Sequence, residues 1–279
     1  MGSIKSIINI SELIELDQYE DLILVDAGSG PVAKENYLKN HLKGALYVDL
    51  NDDLSDIKKD TSNGGRHPLP TPEQFSETLS NLGVSKSSHV IIYDMNGGAN
   101  AAARFWWMLK SIGHDRAQVL NGGQYAAEQN GFPMSSSIEV RQKSDYKISD
   151  WILPLAGMDE VEMASRSGEP IIVDVRSQNR YRGLEEPIDL IAGHIPNAIN
   201  IPFSENLDDL GNFKTPEELR KKYREQSNIT NDSIIHCGSG VTACHTILAM
   251  DYAEMSIPKL YVGSWSEWSR NDKEMNRPL

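Results

Sequence analysis

The chain has 279 residues, enough for about two domains of roughly 150 residues and for cores that need no disulfide or metal staples. Apolar residues make up 39% and charged residues 24%, which excludes a disordered or fibrous chain. With 27 Lys and Arg against 40 Asp and Glu the net charge is −13, so neither nucleic acid nor an anionic membrane is an expected partner, and any positive potential must be local. Two cysteines, Cys237 and Cys244, are too few for a disulfide framework and point to a reducing compartment. No run approaches the ~20 apolar residues of a membrane span, and the start lacks the apolar core of a secretory signal. The expectation is a soluble, cytoplasmic protein. Gly2 and Ser6 formally match a myristoylation pattern, read here as a chance match to a short motif or a cloning remnant.

In chain order, LILVDAG (22–28) reads as an apolar strand carrying Asp26, and NHLKGALYVDL (40–50) carries His41. TPEQF opens a helix, with Thr71 as N-cap, Pro72 at the first helical position and Glu73 in the first turn. HVIIYD is a second strand, ending at Asp94; the helix RFWWMLKSIG (104–113) follows, then VLNGGQY with Gly122. Residues 136–157 are polar and weakly periodic and form a linker. The same landmarks then return in the same order: PIIVDVR (170–176) with Asp174, GHIPNAINIPF (193–203) with His194, and TPEEL with Thr215, Pro216 and Glu217. SIIHC ends at Cys237, the helix TACHTILAMDYA (242–253) follows it, and LYVGSWSEW supplies Gly263. The separations all fall between 141 and 153 residues. Such ordered recurrence predicts two copies of one α/β domain, 1–135 and 158–279, each a parallel sheet flanked by helices. The plain alternative is two unrelated α/β domains.

Ligands of open α/β sheets bind beyond the carboxyl ends of the strands, where Asp94 and Cys237 stand. After Cys237 come Gly238, Ser239, Gly240, Val241 and Thr242, then a helix. Glycines let successive N–H groups turn into one concavity, and the helix N-terminus adds about half a positive charge there. A thiol held in that ring is a candidate nucleophile; the plain alternative is a buried, inert cysteine. A cysteine phosphatase would need an arginine after the five loop residues to grip a doubly charged phosphoryl group, and Ala243 stands there. Sulfur transfer makes no such demand.

At these residues the chain resembles the tandem-domain rhodaneses, the thiosulfate and 3-mercaptopyruvate sulfurtransferases. The resemblance rests on GGRHPLP (64–70), RFWWML, DVRSQNRYRG (174–183), GHIPNAINIPF, CGSGVT (237–242) and GSWSEW (263–268). It implies a catalytically silent first domain, with Asp94 in place of the nucleophile, and a second domain whose Cys237 carries a persulfide, the donor lying between the two. Cys237 would attack the outer sulfur of a small-molecule donor, releasing pyruvate or sulfite. A second nucleophile, cyanide or a thiol (a thioredoxin-like protein included), would then remove the sulfur in a ping-pong cycle. The N–H groups of Gly238 to Thr242 would stabilise the anionic sulfur, and no metal or organic cofactor is called for.

Within that family a loop with two basic residues goes with thiosulfate. The uncharged CGSGVT looks like the mercaptopyruvate type. Arg180, in RYRG, matches the arginine that grips the donor's anionic end, whereas Arg182 reads as solvated. Ser239 and His67 match a serine–histidine–acid proton relay, although Ser239 could equally just tighten its loop and His67 be an ordinary loop residue. Two departures stand out. The acidic member of the relay falls on Asn51, with Asp52 and Asp53 as neighbours, and Ile188-Asp189 replaces a second carboxylate-gripping arginine. The reading leans to mercaptopyruvate and expects some thiosulfate activity as well. Its rivals are a non-catalytic rhodanese-like sulfur-binding or regulatory module and, least of all, the cysteine phosphatase.

Other features carry less. Cys244, two helical turns past Cys237, reads as core. Asp49, Asn51 and Asp53 imitate the start of a calcium loop but meet Leu54 and Asp60 where the loop requires Gly and Glu. Trp106, Trp107, Trp265 and Trp268 read as packing residues, and His41 and His194, at equivalent places, as structural. Arg104 either reaches the site or pairs with acids.

Overall fold

The computed structural model describes residues 4–16, 21–226 and 228–277, so Gly2 of the myristoylation pattern lies outside the described residues. The chain divides into two compact units that are not contiguous in sequence. One comprises 1–55, 70–152 and 209–213; the other comprises 56–69, 153–208 and 214–279.

The first unit contains β1 (Ile7–Ile8), α1 (Ile10–Leu16), β2 (Leu22–Gly28), α2 (Ala33–Lys39), β3 (His41–Leu42), β4 (Leu46–Asp49), α3 (Pro72–Asn81), β5 (His89–Tyr93), α4 (Ala101–Ser111), β6 (Ala117–Leu120), α5 (Gly123–Gln129) and β7 (Met134–Ser135). Its sheet is parallel, in the order β1-β6-β5-β2-β4. Every residue of β2 and β5 is buried, as expected of central parallel strands covered on both faces. Helix α3 starts at Thr71, whose side chain accepts from Gln74 N–H while Gln74 returns a bond to Thr71 N–H. That reciprocal box, with Pro72 at the first position, contributes about 1 kcal/mol and places the start where the TPEQF signal predicts it.

The second unit contains α6 (Met158–Ser167), β8 (Ile172–Asp174), α7 (Gln178–Tyr181), β9 (Ile199–Asn200), a short 3₁₀ turn (Phe203–Asn206), α8 (Pro216–Gln226), β10 (Ile234–His236), α9 (Thr242–Tyr252), β11 (Lys259–Leu260) and α10 (Ser264–Trp268). Its parallel sheet runs β11-β10-β8-β9, the order of β6-β5-β2-β4. The likeness extends to the margins. A parallel bridge from Leu155 to Leu260 stands where β1 pairs with β6, and an antiparallel bridge from His194 to Asn276 stands where β3 pairs with β7. The core of this unit gathers Val161, Ile172, Ile195, Ile234, Tyr261, Trp265 and Trp268, while that of the first gathers Leu13, Leu22, Leu24, Leu42, Ile91, Tyr93 and Leu120.

Both histidines of the equivalent segments are structural props. His41 stacks on Tyr37 at 4.0 Å and its Nδ1 lies 2.6 Å from Tyr37 O; His194 stacks on Tyr181 at 3.9 Å with Nδ1 2.8 Å from Tyr181 O. Trp106 and Trp107 are buried on α4, and Arg104 is buried with them. Among the described residues no helix is long and apolar enough to cross a membrane, and no group of three or more His, Cys, Asp or Glu could hold a metal ion.

Candidate active site

In each unit the central strand ends one residue short of the position of interest. Asp26 pairs in register with Tyr93, just before Asp94, and Asp174 pairs with His236, just before Cys237. In the first unit the turn after the strand is closed by the protein's own anion. The Asp94 carboxylate accepts N–H bonds from Asn96, Gly98, Asn100 and Ala102 at 2.8–3.2 Å. Burial pushes the Asp94 carboxyl up from its ordinary value, and the four donors pull against that. The turn is a backbone nest for one negative group, and the group is already in place.

In the second unit the strand leads to Cys237, buried at 2% exposure and free of any disulfide. Gly238 to Val241 carry the chain into α9. Gly240 sits at φ 73°, and a Cβ there would strike the backbone of Val262, so this turn requires glycine. Helix α10 clamps this turn: Trp265 N–H donates to Cys237 O at 3.0 Å and Ser266 N–H to Gly238 O at 2.8 Å. Ser264 adopts φ 54° and its Oγ accepts the Cys237 N–H at 3.1 Å while donating to Tyr261 O. A non-glycine residue in the left-handed region costs about 1–3 kcal/mol, retained here beside the thiol.

The same helix holds a second segment, 56–69, which belongs to this unit. Gly64 N–H donates to Glu267 Oε1 at 2.6 Å, Arg66 N–H to Ser266 Oγ at 3.0 Å, and Asn271 Nδ2 to Ser62 O at 2.9 Å. Gly64 and Gly65 both have positive φ, and a Cβ on Gly65 would strike Gly263 O, so the Gly-Gly pair is what lets GGRHPLP lie against α10. The consequence is chemical. His67 Nδ1 comes within 2.8 Å of Ser239 Oγ, joining two residues 172 apart in sequence.

Arg180, on α7, lies beside Gly238, with Nη2 3.3 Å from where a Cβ would stand. Its guanidinium forks onto Glu186 at 2.7 and 3.1 Å and reaches Asp189 Oδ2 at 3.3 Å. Burial alone would raise the Glu186 carboxyl, but Arg180 and the N–H groups of Asp189 and Ile188 hold it below its ordinary value. Arg182 is exposed. Beneath the loop, Arg176 forks onto Asp174, stacks over the Trp265 ring at 4.8 Å, and reaches Glu186 at 3.2 Å. Cys244 is fully buried in α9, its Sγ donating to Gly240 O at 3.3 Å. Asp53, weighed as a relay acid, accepts the Asp49 N–H at 2.8 Å, and burial raises its carboxyl.

Sequence reasoning missed Arg66. It sits immediately before His67 in a quoted motif, yet one cation in a Gly-Gly loop carries no signal without the fold. In the structure its Nη2 lies 3.0 Å from the Cβ position of Gly238, and it forks onto Asp189 at 3.1 and 3.3 Å.

Comparison with known proteins shows what the whole chain is similar to. The family model for the rhodanese-like domain matches residues 9–129 and 158–271. A probable 3-mercaptopyruvate sulfurtransferase of Pseudomonas aeruginosa is 37% identical over 240 residues, 83% of this chain and 82% of its own. A thiosulfate sulfurtransferase of Mus musculus is 32% identical over 243 residues, 85% of this chain and 80% of its own. Among solved structures, the 3-mercaptopyruvate sulfurtransferase from Leishmania major is similar at a TM-score of 0.83 and 29% identity, over 95% of this chain and 74% of that one. With two matched segments and relatives of one enzymatic class, the chain belongs to the rhodanese-like family and is a sulfurtransferase.

Proposed function

We propose that the protein transfers sulfane sulfur from 3-mercaptopyruvate, through a persulfide on Cys237, to cyanide or a thiol acceptor, and that its first unit is catalytically silent. The observation that carries the donor choice is the uncharged loop whose Ser239 hydroxyl meets His67 at 2.8 Å. In the first half-reaction the Cys237 thiolate forms a bond to the thiol sulfur of the donor. The donor's C–S bond breaks, its electron pair stays on carbon, and the thiol proton ends on that carbon, giving pyruvate and an enzyme S–S⁻. Ser239 and His67 provide a path for that proton. In the second half-reaction an acceptor thiolate or cyanide bonds the outer sulfur and the Cys237 thiolate leaves. Thiosulfate yields the same persulfide with sulfite as leaving group, which supports a secondary activity with that donor.

The silent reading of the first unit is supported by Asp94, whose carboxylate occupies the N–H nest that an anionic sulfur would need. Arg180 beside Gly238 supports its role at the donor's anionic end. Arg180→Ala is expected to lower kcat/KM for mercaptopyruvate by about 10- to 100-fold, the loss of a charge-assisted bond of ~1.5–3 kcal/mol. An unchanged value would remove it from the donor site. The function itself is tested by intact mass after incubation with mercaptopyruvate. One added sulfur per chain, removed by cyanide, is expected, and the absence of an adduct with either donor would refute the reading. Side-by-side kcat/KM for the two donors then decides between them, a higher value for thiosulfate overturning the donor choice.

A further inference from the structure

The peptide that joins Cys237 to Gly238 is held from behind by two donors. It is planar and trans, so its C=O and its N–H point to opposite sides. The Cys237 carbonyl accepts from Trp265 N–H at 3.0 Å, and His236 Nδ1 lies 3.1 Å from the same oxygen. A carbonyl only accepts, so this contact puts the ring's proton on Nδ1. Burial holds the His236 imidazole below its ordinary value against the pull of Asp174, so at neutral pH the ring is uncharged and that proton is its only one. Nε2 is left without a hydrogen bond, 3.8 Å from Asp174 Oδ2.

We propose that His236 is a positioning residue for sulfur transfer: with Trp265 it fixes the Cys237 carbonyl, so that the Gly238 N–H of the same peptide stays turned toward the anionic sulfur carried by Cys237. The inference rests on the sulfur-transfer reading above and names what keeps that N–H aimed. A donor free to swing must be reoriented each time charge develops on the sulfur, whereas a fixed one stabilises the charge without that cost. The histidine is otherwise an expensive choice. Its Nε2 is buried without a partner, a penalty that an apolar side chain of similar size would avoid. A bond to the carbonyl behind the nucleophile accounts for keeping it.

The first unit supplies a comparison. Helices α5 and α10 begin alike, with Gly123 at φ 57° and Ser264 at φ 54°, and Gln124 N–H donates to Asp94 O at 3.2 Å as Trp265 N–H donates to Cys237 O. Tyr93 stands where His236 stands, each in register with the aspartate of the neighbouring strand. The Tyr93 hydroxyl accepts the Leu42 N–H at 3.0 Å and gives its one proton to Asp26, so it has none for the Asp94 carbonyl. That turn is instead held by the Asp94 carboxylate through its four N–H bonds. A thiol that becomes anionic during turnover cannot hold its own turn in that way, and there the additional donor is His236.

The experiment follows single-turnover persulfide formation by intact mass, with each donor the wild type accepts, in the wild type, His236→Leu, His236→Asn and His236→Gln. Thermal unfolding shows which variants fold. In His236→Leu the limiting rate is expected to fall about tenfold while the half-saturating donor concentration moves less than about twofold, because the lost orientation acts on the sulfur and not on donor binding. In His236→Asn the amide Nδ2 stands where Nδ1 stood, and the rate should return to within about threefold of the wild type. In His236→Gln the amide reaches toward the Nε2 position instead, and the rate should stay low. Lost packing alone would not produce that order of rates. A folded His236→Leu at the wild-type rate, or His236→Asn no faster than His236→Leu, overturns the inference while leaving sulfur transfer intact. If His236→Leu does not fold, the other two variants decide: His236→Asn faster than His236→Gln by about threefold or more supports the inference, and a smaller difference overturns it. If the wild type itself gains no sulfur from either donor, the sulfur-transfer reading fails and the inference with it.

Discussion

Cys237→Ser is expected to reduce sulfur transfer from either donor to background and to eliminate the cyanide-removable sulfur adduct, while leaving the fold standing. The substitution is nearly isosteric at a buried site, so stability should shift by about 1 kcal/mol at most. The chemistry admits no substitute: at neutral pH a serine hydroxyl is far less ionised than a thiol, and it cannot hold sulfur as a persulfide. Cys244 provides the internal comparison. It is equally buried and lies at the same loop, but its Sγ is committed to Gly240 O inside α9. Cys244→Ala should therefore retain the adduct. Intact mass and initial rates on both variants check this; an adduct that persists in Cys237→Ser, or disappears in Cys244→Ala, would move the sulfur carrier to the other cysteine.

Much of this site was legible because local signals coincided. Thr71-Pro72 and Thr215-Pro216 mark helix starts through bonds that reach only three residues, and the structure places both there. The strand-end position of Cys237 follows from a run of apolar residues meeting a Gly-rich turn. The meeting of His67 and Ser239 was legible only through the family resemblance, because nothing local links residues 172 apart. What stayed hidden was long-range in the same way, and nothing local in the sequence names its partners. Arg66 is delivered by Gly64 and Gly65 lying on α10, and Asp189 gathers arginines from positions 66, 180 and 270. The membership of 56–69 in the second unit was hidden too, since hydrophobic periodicity describes elements and says nothing of where a polar loop is tied.

The internal likeness of the two units yields an expectation of opposite signs at one equivalent position. Asp174 and Asp26 each lie beside the central strand that leads to Cys237 or Asp94. Two residues after Asp174 stands Arg176, which forks onto it at 2.6–3.0 Å; two residues after Asp26 stands Gly28, where a Cβ would strike the Tyr47 ring. Burial alone would raise the Asp174 carboxyl, but Arg176 and His236 hold it below its ordinary value. Burial and the nearby Asp94 push Asp26 up to about 7, against a weaker pull from Tyr93. The signs follow. A lowered acid contributes stability that is present above its unfolded value near 3.8 and lost as the pH falls below it. A raised acid makes the folded state bind the extra proton, so stability declines as the pH climbs from about 4 to about 7 and stays lower above that. Asp174→Asn should thus destabilise by about 3–5 kcal/mol at pH 8, because it leaves Arg176 buried with half its partners gone. Asp26→Asn should stabilise by about 2–4 kcal/mol at pH 8, at roughly 1.4 kcal/mol per pKa unit, and should flatten the pH dependence between 5 and 8. Urea denaturation of the three proteins at those two pH values reads both effects. Shifts of the same sign at pH 8, or a slope unchanged in Asp26→Asn, would show that the two aspartates are held alike despite Arg176 standing beside only one of them.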